Sequence, residues 1–163
     1  MKNRIFAVAL FALAAAFPAH AQEEGLPVGA TAPSATLQTL DGKPVDLAQL
    51  ARGGPAVIEF WATWCEYCEK LLPTMQKASA TYGKKVKFIA VAVSVNQSVQ
   101  RVKLHAAKYN VPGIQLYDTK GDATGKWDVP ATSYVVVLDK NGKVSYTGQG
   151  ADQKIDAAIR KVL

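Results

Sequence analysis

The sequence is poor in cysteine, histidine and long apolar runs, and each shortage narrows what the chain can be. Its 163 residues hold two cysteines, Cys65 and Cys68, almost adjacent. A bond between them closes a tiny loop and removes little entropy from the unfolded chain, which argues against a scaffold stapled by disulfides. There are two histidines. His20 lies in the leader, and His105 is far from the cysteines on a polar-looking helix. A four-ligand zinc site therefore lacks its second ligand pair. The longest apolar run, Ile5 to Phe17, is 13 residues, short of the roughly 20 that span a bilayer. Acids are outnumbered, 13 against 19 Lys and Arg, for a formal charge of +6. The densest basic patch, Lys84-Lys85-Val86-Lys87, falls where a helix should give way to a strand. It reads as a solvated turn and not a nucleic-acid surface. No repeat or low-complexity segment is present.

What is present begins with a leader. Lys2 and Arg4 precede the apolar run, Pro18 breaks it, and Ala19-His20-Ala21 has the small-x-small form that a signal peptidase reads. Residues 1–21 are expected to be a cleaved export signal, which places the protein in the periplasm; an uncleaved N-terminal membrane anchor is the alternative. Removing residues 1–21 takes the charge from +6 to +4 and leaves 142 of the 163 residues. That is enough for one domain with a full core. Residues 22–34, with Pro27, Gly29 and Pro33, are read as an arm, and 35–163 as the domain.

Along the domain, Thr36 to Leu40 and Val45 to Leu47 flank the turn signal Asp41-Gly42 and predict a hairpin. Ala48 to Leu50 predicts a helical turn. Ala56 to Trp61 (AVIEFW) is a buried strand carrying one acid, Glu59. Cys65 to Tyr82 has helical spacing, with Pro73 inside it as a kink. Val86 to Val95 predicts a central strand. Asn96 or Ser98 can cap a helix running to Tyr109, and Ile114 to Tyr117 predicts a short strand. Asp118 to Lys126 reads as a polar loop. Tyr134 to Leu138 and Val144 to Thr147 flank the hairpin signal Asp139-Lys140-Asn141-Gly142. Asp152 is the expected cap of a last helix. The order implies an α/β fold, a mixed central sheet covered by helices on both faces.

The cysteine pair has two chemical readings. Two thiolates can hold Cu(I), so a copper carrier is one. A redox couple is the other. Cys65 follows a buried strand and opens a helix, where free N–H groups and the helix dipole stabilise a thiolate. Such placement lowers a thiol pKa from about 8.5. Cys68, one turn on and more buried, is poised to resolve a mixed disulfide formed at Cys65.

The stretch VIEFWATWCEYC, with Pro73 after it, resembles the active-site segment of the thioredoxin superfamily, and more closely its exported TlpA/ResA-like thiol–disulfide oxidoreductases. The likeness runs from about Gly29 to Leu163. GATAPSATLQTLDGKPVDLAQL is similar to that branch's N-terminal β-hairpin, Ser98 to Tyr117 to its central αβ insertion, and VPATSYVVVLDKNGKV to the segment bearing its cis-proline. The resemblance implies a thioredoxin-like fold and a protein-disulfide reductase that needs no cofactor. Its partners would be protein thiol and disulfide substrates and a membrane electron donor; roles in cytochrome c or copper-site maturation are implied. It implies that Cys65 attacks, Cys68 resolves and Glu59 passes the proton. Glu59 is otherwise an exposed or hydrogen-bonded acid without chemistry. It further implies a cis Pro130 that, with Val129 and Trp64, forms the substrate-binding edge. Trp61 is read as core, and Trp127 as lining the groove or packing.

The dipeptide Glu66-Tyr67 departs from relatives that have proline before the second cysteine. It carries no histidine or cationic group of the kind that makes a strong oxidant, so a reductant is expected and an oxidase or isomerase is the alternative. Residues 22–34 are too few for an isomerase's dimerisation domain, and a monomer is expected. A peroxidatic reading fails because Ala62, not Thr63, stands three before Cys65 and the nearest arginine is Arg52.

Overall fold

The computed structural model describes residues 25–163; the leader and the first residues of the arm lie outside the described residues. The first elements are β1 (Thr36–Thr39), β2 (Pro44–Asp46), α1 (Leu47–Ala51) and β3 (Ala56–Trp61). The middle holds α2 (Glu66–Tyr82), β4 (Lys87–Val93), α3 (Val99–Tyr109) and β5 (Ile114–Asp118). The chain closes with α4 (Asp122–Lys126), β6 (Tyr134–Leu138), β7 (Val144–Gln149) and α5 (Ile155–Arg160). Seven strands form one sheet in the order β2-β1-β5-β4-β3-β6-β7. β3, β4 and β5 run parallel and the other pairings are antiparallel.

Period-two alternation along β3 sorts the helices onto the two faces. Ala56, Ile58 and Phe60 join a core with Leu47 of α1, Ala123 of α4 and Trp127. Val57 points the other way, packing with Leu71 and Met75 of α2 and Ile159 of α5. Trp61 shares that second face with Val102 and Ala106 of α3. Glu59 lies between Val57 and Trp61 in the alternation, so it faces α2 and α3. Register sets it opposite Ala90, and sets Trp61 opposite Ala92. On the β4 side Ala90 puts little side-chain volume beside the acid; on the β6 side its partner is Val135.

Local chemistry explains most boundaries. Ser98 caps α3, accepting the Arg101 N–H at 3.2 Å, and Asn110 ends that helix in the left-handed region. β4 stops at Val93, two residues short of the predicted end, because Asn96 turns the chain at φ 53°. Pro73 lies inside α2 without ending it; having no N–H, it leaves the Glu69 carbonyl without its helical donor. The predicted loop after β5 contains α4. Buried Asp118 organises it, accepting from the Ala123 and Thr124 N–H groups and the Thr124 hydroxyl. Asp152 does not cap α5; Lys154 holds that position without a side-chain bond. The arm is tied down: Gly29 N–H donates to Val144 O and Leu26 N–H to the Tyr134 hydroxyl.

Candidate active site

The buried strand β3 delivers the chain to Ala62, Thr63 and Trp64, and Cys65 then caps α2 from an extended backbone. Its Sγ accepts the Cys68 N–H at 3.1 Å. Cys65 and Cys68 are joined by a disulfide, with Cα atoms 5.3 Å apart. Both are nearly enclosed, Cys65 8 % and Cys68 6 % exposed. The expected contrast in burial is therefore slight in this oxidised state.

Glu59 is 4 % exposed. Burial away from water disfavours its charged form and pushes the carboxyl from 4.5 up to about 8. A cavity of about 360 Å³ joins it to the cysteines; its lining includes Glu59, Trp61, Thr63, Cys65, Cys68 and His105. The Trp61 Nε1–H and the Thr63 hydroxyl are buried with no hydrogen-bond partner. Polar groups left open in a cavity of this size are sites for water, and Glu59 and both cysteines line that same cavity.

His105 is the residue that sequence reasoning undervalued. A lone histidine on a polar helix carries no signal by itself. The fold turns it inward, stacking it 5.5 Å from the Trp61 ring and 4.5 Å from that of Tyr109. Burial is the main cause holding its pKa below 6.5; Arg101 and Lys108 act the same way and Glu69 opposes them.

The dipeptide is on the surface. Glu66 pairs with Lys70 at 2.6 Å, which holds its carboxyl below the ordinary range and offsets its charge near Cys65. Tyr67 is exposed, with the Lys70 ammonium 5.7 Å from its ring. Trp64 stands half-exposed beside the cysteines, its Nε1–H donating to Val95 O at 2.8 Å.

One expectation is corrected, and one open alternative is decided. Pro130 is trans, as is every peptide bond of the described residues. Trans is the ordinary preference of an X–Pro bond, and here the chain reverses through Asp128 at φ 48° and Ser133 at φ 60° instead. Neither Val129 nor Pro130 lines the cavity; Val129 packs against the core on the opposite face and donates its N–H to Thr124 O. Trp127 is fully buried, 5.9 Å from the Phe60 ring with its Nε1–H on Pro33 O, so it packs and does not line a groove. No helix among the described residues is long and apolar enough to cross a membrane. No group of three or more His, Cys, Asp or Glu among them could hold a metal ion.

A cysteine couple at the start of a helix, fed by a central parallel strand of a mixed sheet, defines a thiol–disulfide oxidoreductase of thioredoxin-like fold. Comparison with known proteins agrees. The chain belongs to the Redoxin family, whose model matches residues 27–163. It is 31% identical to the thioredoxin-like protein YneN of Bacillus subtilis (strain 168), over 83% of this chain and 82% of that one. Identity to a thiol-disulfide oxidoreductase ResA of Bacillus cereus is 26%, covering 87% and 82%. Among solved structures, a secreted Mycobacterium tuberculosis disulfide oxidoreductase homologous to E. coli DsbE superposes with a TM-score of 0.65. It is 26% identical, with 77% of this chain and 92% of that one covered. The chain is thus a TlpA/ResA-like member of the thioredoxin superfamily.

Proposed function

We propose that the protein is an exported reductase of protein disulfides. The Cys65 thiolate attacks a substrate disulfide, forming a mixed disulfide and expelling one substrate thiolate. Glu59 takes the Cys68 proton through water in the shared cavity, and the Cys68 thiolate attacks the Cys65 sulfur. The second substrate thiolate leaves, taking up a proton, and the couple is left as the Cys65–Cys68 disulfide. A thiol donor at the membrane restores the dithiol. The observation that carries this reading is the Glu59 carboxyl, buried in the cavity that both cysteines line and pushed by burial up to about 8. Cys65 supports its own role as the attacking group, because its Sγ already accepts a helix N–H that would stabilise a thiolate.

Export is supported by the leader pattern in residues 1–21 and by likeness to a secreted relative. The substrates are disulfides of exported proteins; by analogy with the family, cytochrome c apoproteins and copper-site proteins are among them. Half-exposed Trp64 flanks the couple and would contact the substrate chain.

The test is a trap. Cys68→Ser should accumulate mixed disulfides through Cys65, visible on non-reducing gels and cleared by dithiothreitol. Trapping by Cys65→Ser and none by Cys68→Ser would reverse the roles. The redox potential measured against glutathione separates reductant from oxidant.

A further inference from the structure

The three residues between β3 and Cys65 have little of their own to hold them. Cys65 N–H returns to Ala62 O at 3.2 Å, and the Thr63 hydroxyl has no partner. What fixes the turn comes from the loop between β4 and α3. Gln97 Oε1 accepts the Thr63 N–H at 2.8 Å. The Nε2 of the same amide donates to Val93 O, at the end of β4. The Gln97 main-chain carbonyl accepts the hydroxyl of Tyr117, a buried residue of β5, at 2.7 Å. Trp64 Nε1 reaches the same loop at Val95 O.

We propose that Gln97 is a positioning residue for the redox couple: its amide latches the turn before Cys65 to the end of β4, while Tyr117 of β5 holds its main-chain carbonyl. Both ends of the amide are used, one on the turn and one on the sheet, so the side chain spans the gap as a strut. Where the turn goes, Cys65 Sγ goes, and with it the contact to the Cys68 N–H that would stabilise the thiolate. A turn freed from the strut lets Sγ leave that N–H, and the Cys65 thiol becomes harder to ionise. The inference rests on the reading that Cys65 is the attacking thiol.

The strut is removed with length and bulk kept in Gln97→Met. Tyr117→Phe loosens it from further away, and keeps the test alive if the first variant folds poorly. In the reduced protein, the rate of attack on oxidised glutathione at pH 6 should fall by about three- to tenfold in Gln97→Met, a thiol pKa rise of about half to one unit. The gap should close at a pH well above the thiol pKa, where the thiolate is complete in both proteins. Tyr117→Phe should shift the same way by less. A rate ratio to wild type that does not change with pH, or no loss at all in either variant, would overturn the proposal: the amide would then serve the fold alone. Limited alkylation with iodoacetamide, read by mass spectrometry, separates the two readings. Label at Cys68 first overturns the assignment of Cys65, and the proposal with it. Label at Cys65 without a pH-dependent gap overturns the proposal alone.

Discussion

Replacing Glu59 by Gln should make the oxidised protein more stable, and more so as pH rises. In the fold the carboxyl stays protonated up to about 8, while in the unfolded chain it ionises from 4.5. Between those values the folded state holds the extra proton, so wild-type stability must fall as pH rises. Each unit of difference is worth about 1.4 kcal/mol. The fall between pH 5 and pH 8 is therefore about 3 kcal/mol on this group's account. Gln keeps the shape and cannot ionise. The stability difference between Glu59→Gln and wild type should grow by that amount over the same interval. Urea unfolding followed by tryptophan fluorescence measures it, with the disulfide kept closed so that no thiol titrates. A difference that is the same at pH 5 and pH 8 would refute the reasoning, because it would mean the carboxyl is hydrated and ionises near 4.5. On the proposed mechanism the same substitution should slow the resolving step most at pH 8 and above, where the carboxylate that would take the Cys68 proton is present.

Two other positions make separate claims. Burial lowers the pKa of His105 in the fold, so its contribution has the opposite sign: stability is lost as pH falls below 6.5. His105→Gln should therefore hold its stability better than wild type between pH 7.5 and pH 5, in the same urea measurement. Gly113, at φ +89°, has no room for a Cβ, which would collide with the Phe88 carbonyl. Gly113→Ala should destabilise by roughly 2–4 kcal/mol through strain and displacement of β4 against β5, read from thermal melting.

The couple and its supports are legible in the sequence because they are local. β3, the start of α2 and β6 declare themselves through apolar runs, and Glu59 stands out as the one acid in such a run. Their positions match the structure: Ala56–Trp61 and Tyr134–Leu138 are as expected. What escapes depends on distant partners. α4 is short and polar; it forms because buried Asp118 binds its first N–H groups and because the Thr36 N–H meets Asp122 from β1. No periodicity announces that. The loop holding Gln97 looks like any polar connection until Thr63 is seen to lie across from it. The cis expectation at Pro130 fails because the resemblance is carried over a turn whose geometry is set by Asp128 and Ser133.

The side of the cavity formed by His105 and Tyr109 belongs to α3, which packs on the sheet through Val102 and Ala106, with Val99 beside them. One side of the cavity therefore comes from a stretch of chain other than the one that carries the sulfur atoms, which itself supplies Trp64, Glu66, Glu69 and Leu72 to the lining. Substitutions on one helix can reshape that side of the cavity while Cys65, Cys68 and Glu59 stay as they are. Changes to what the cavity admits need not touch the sulfur atoms.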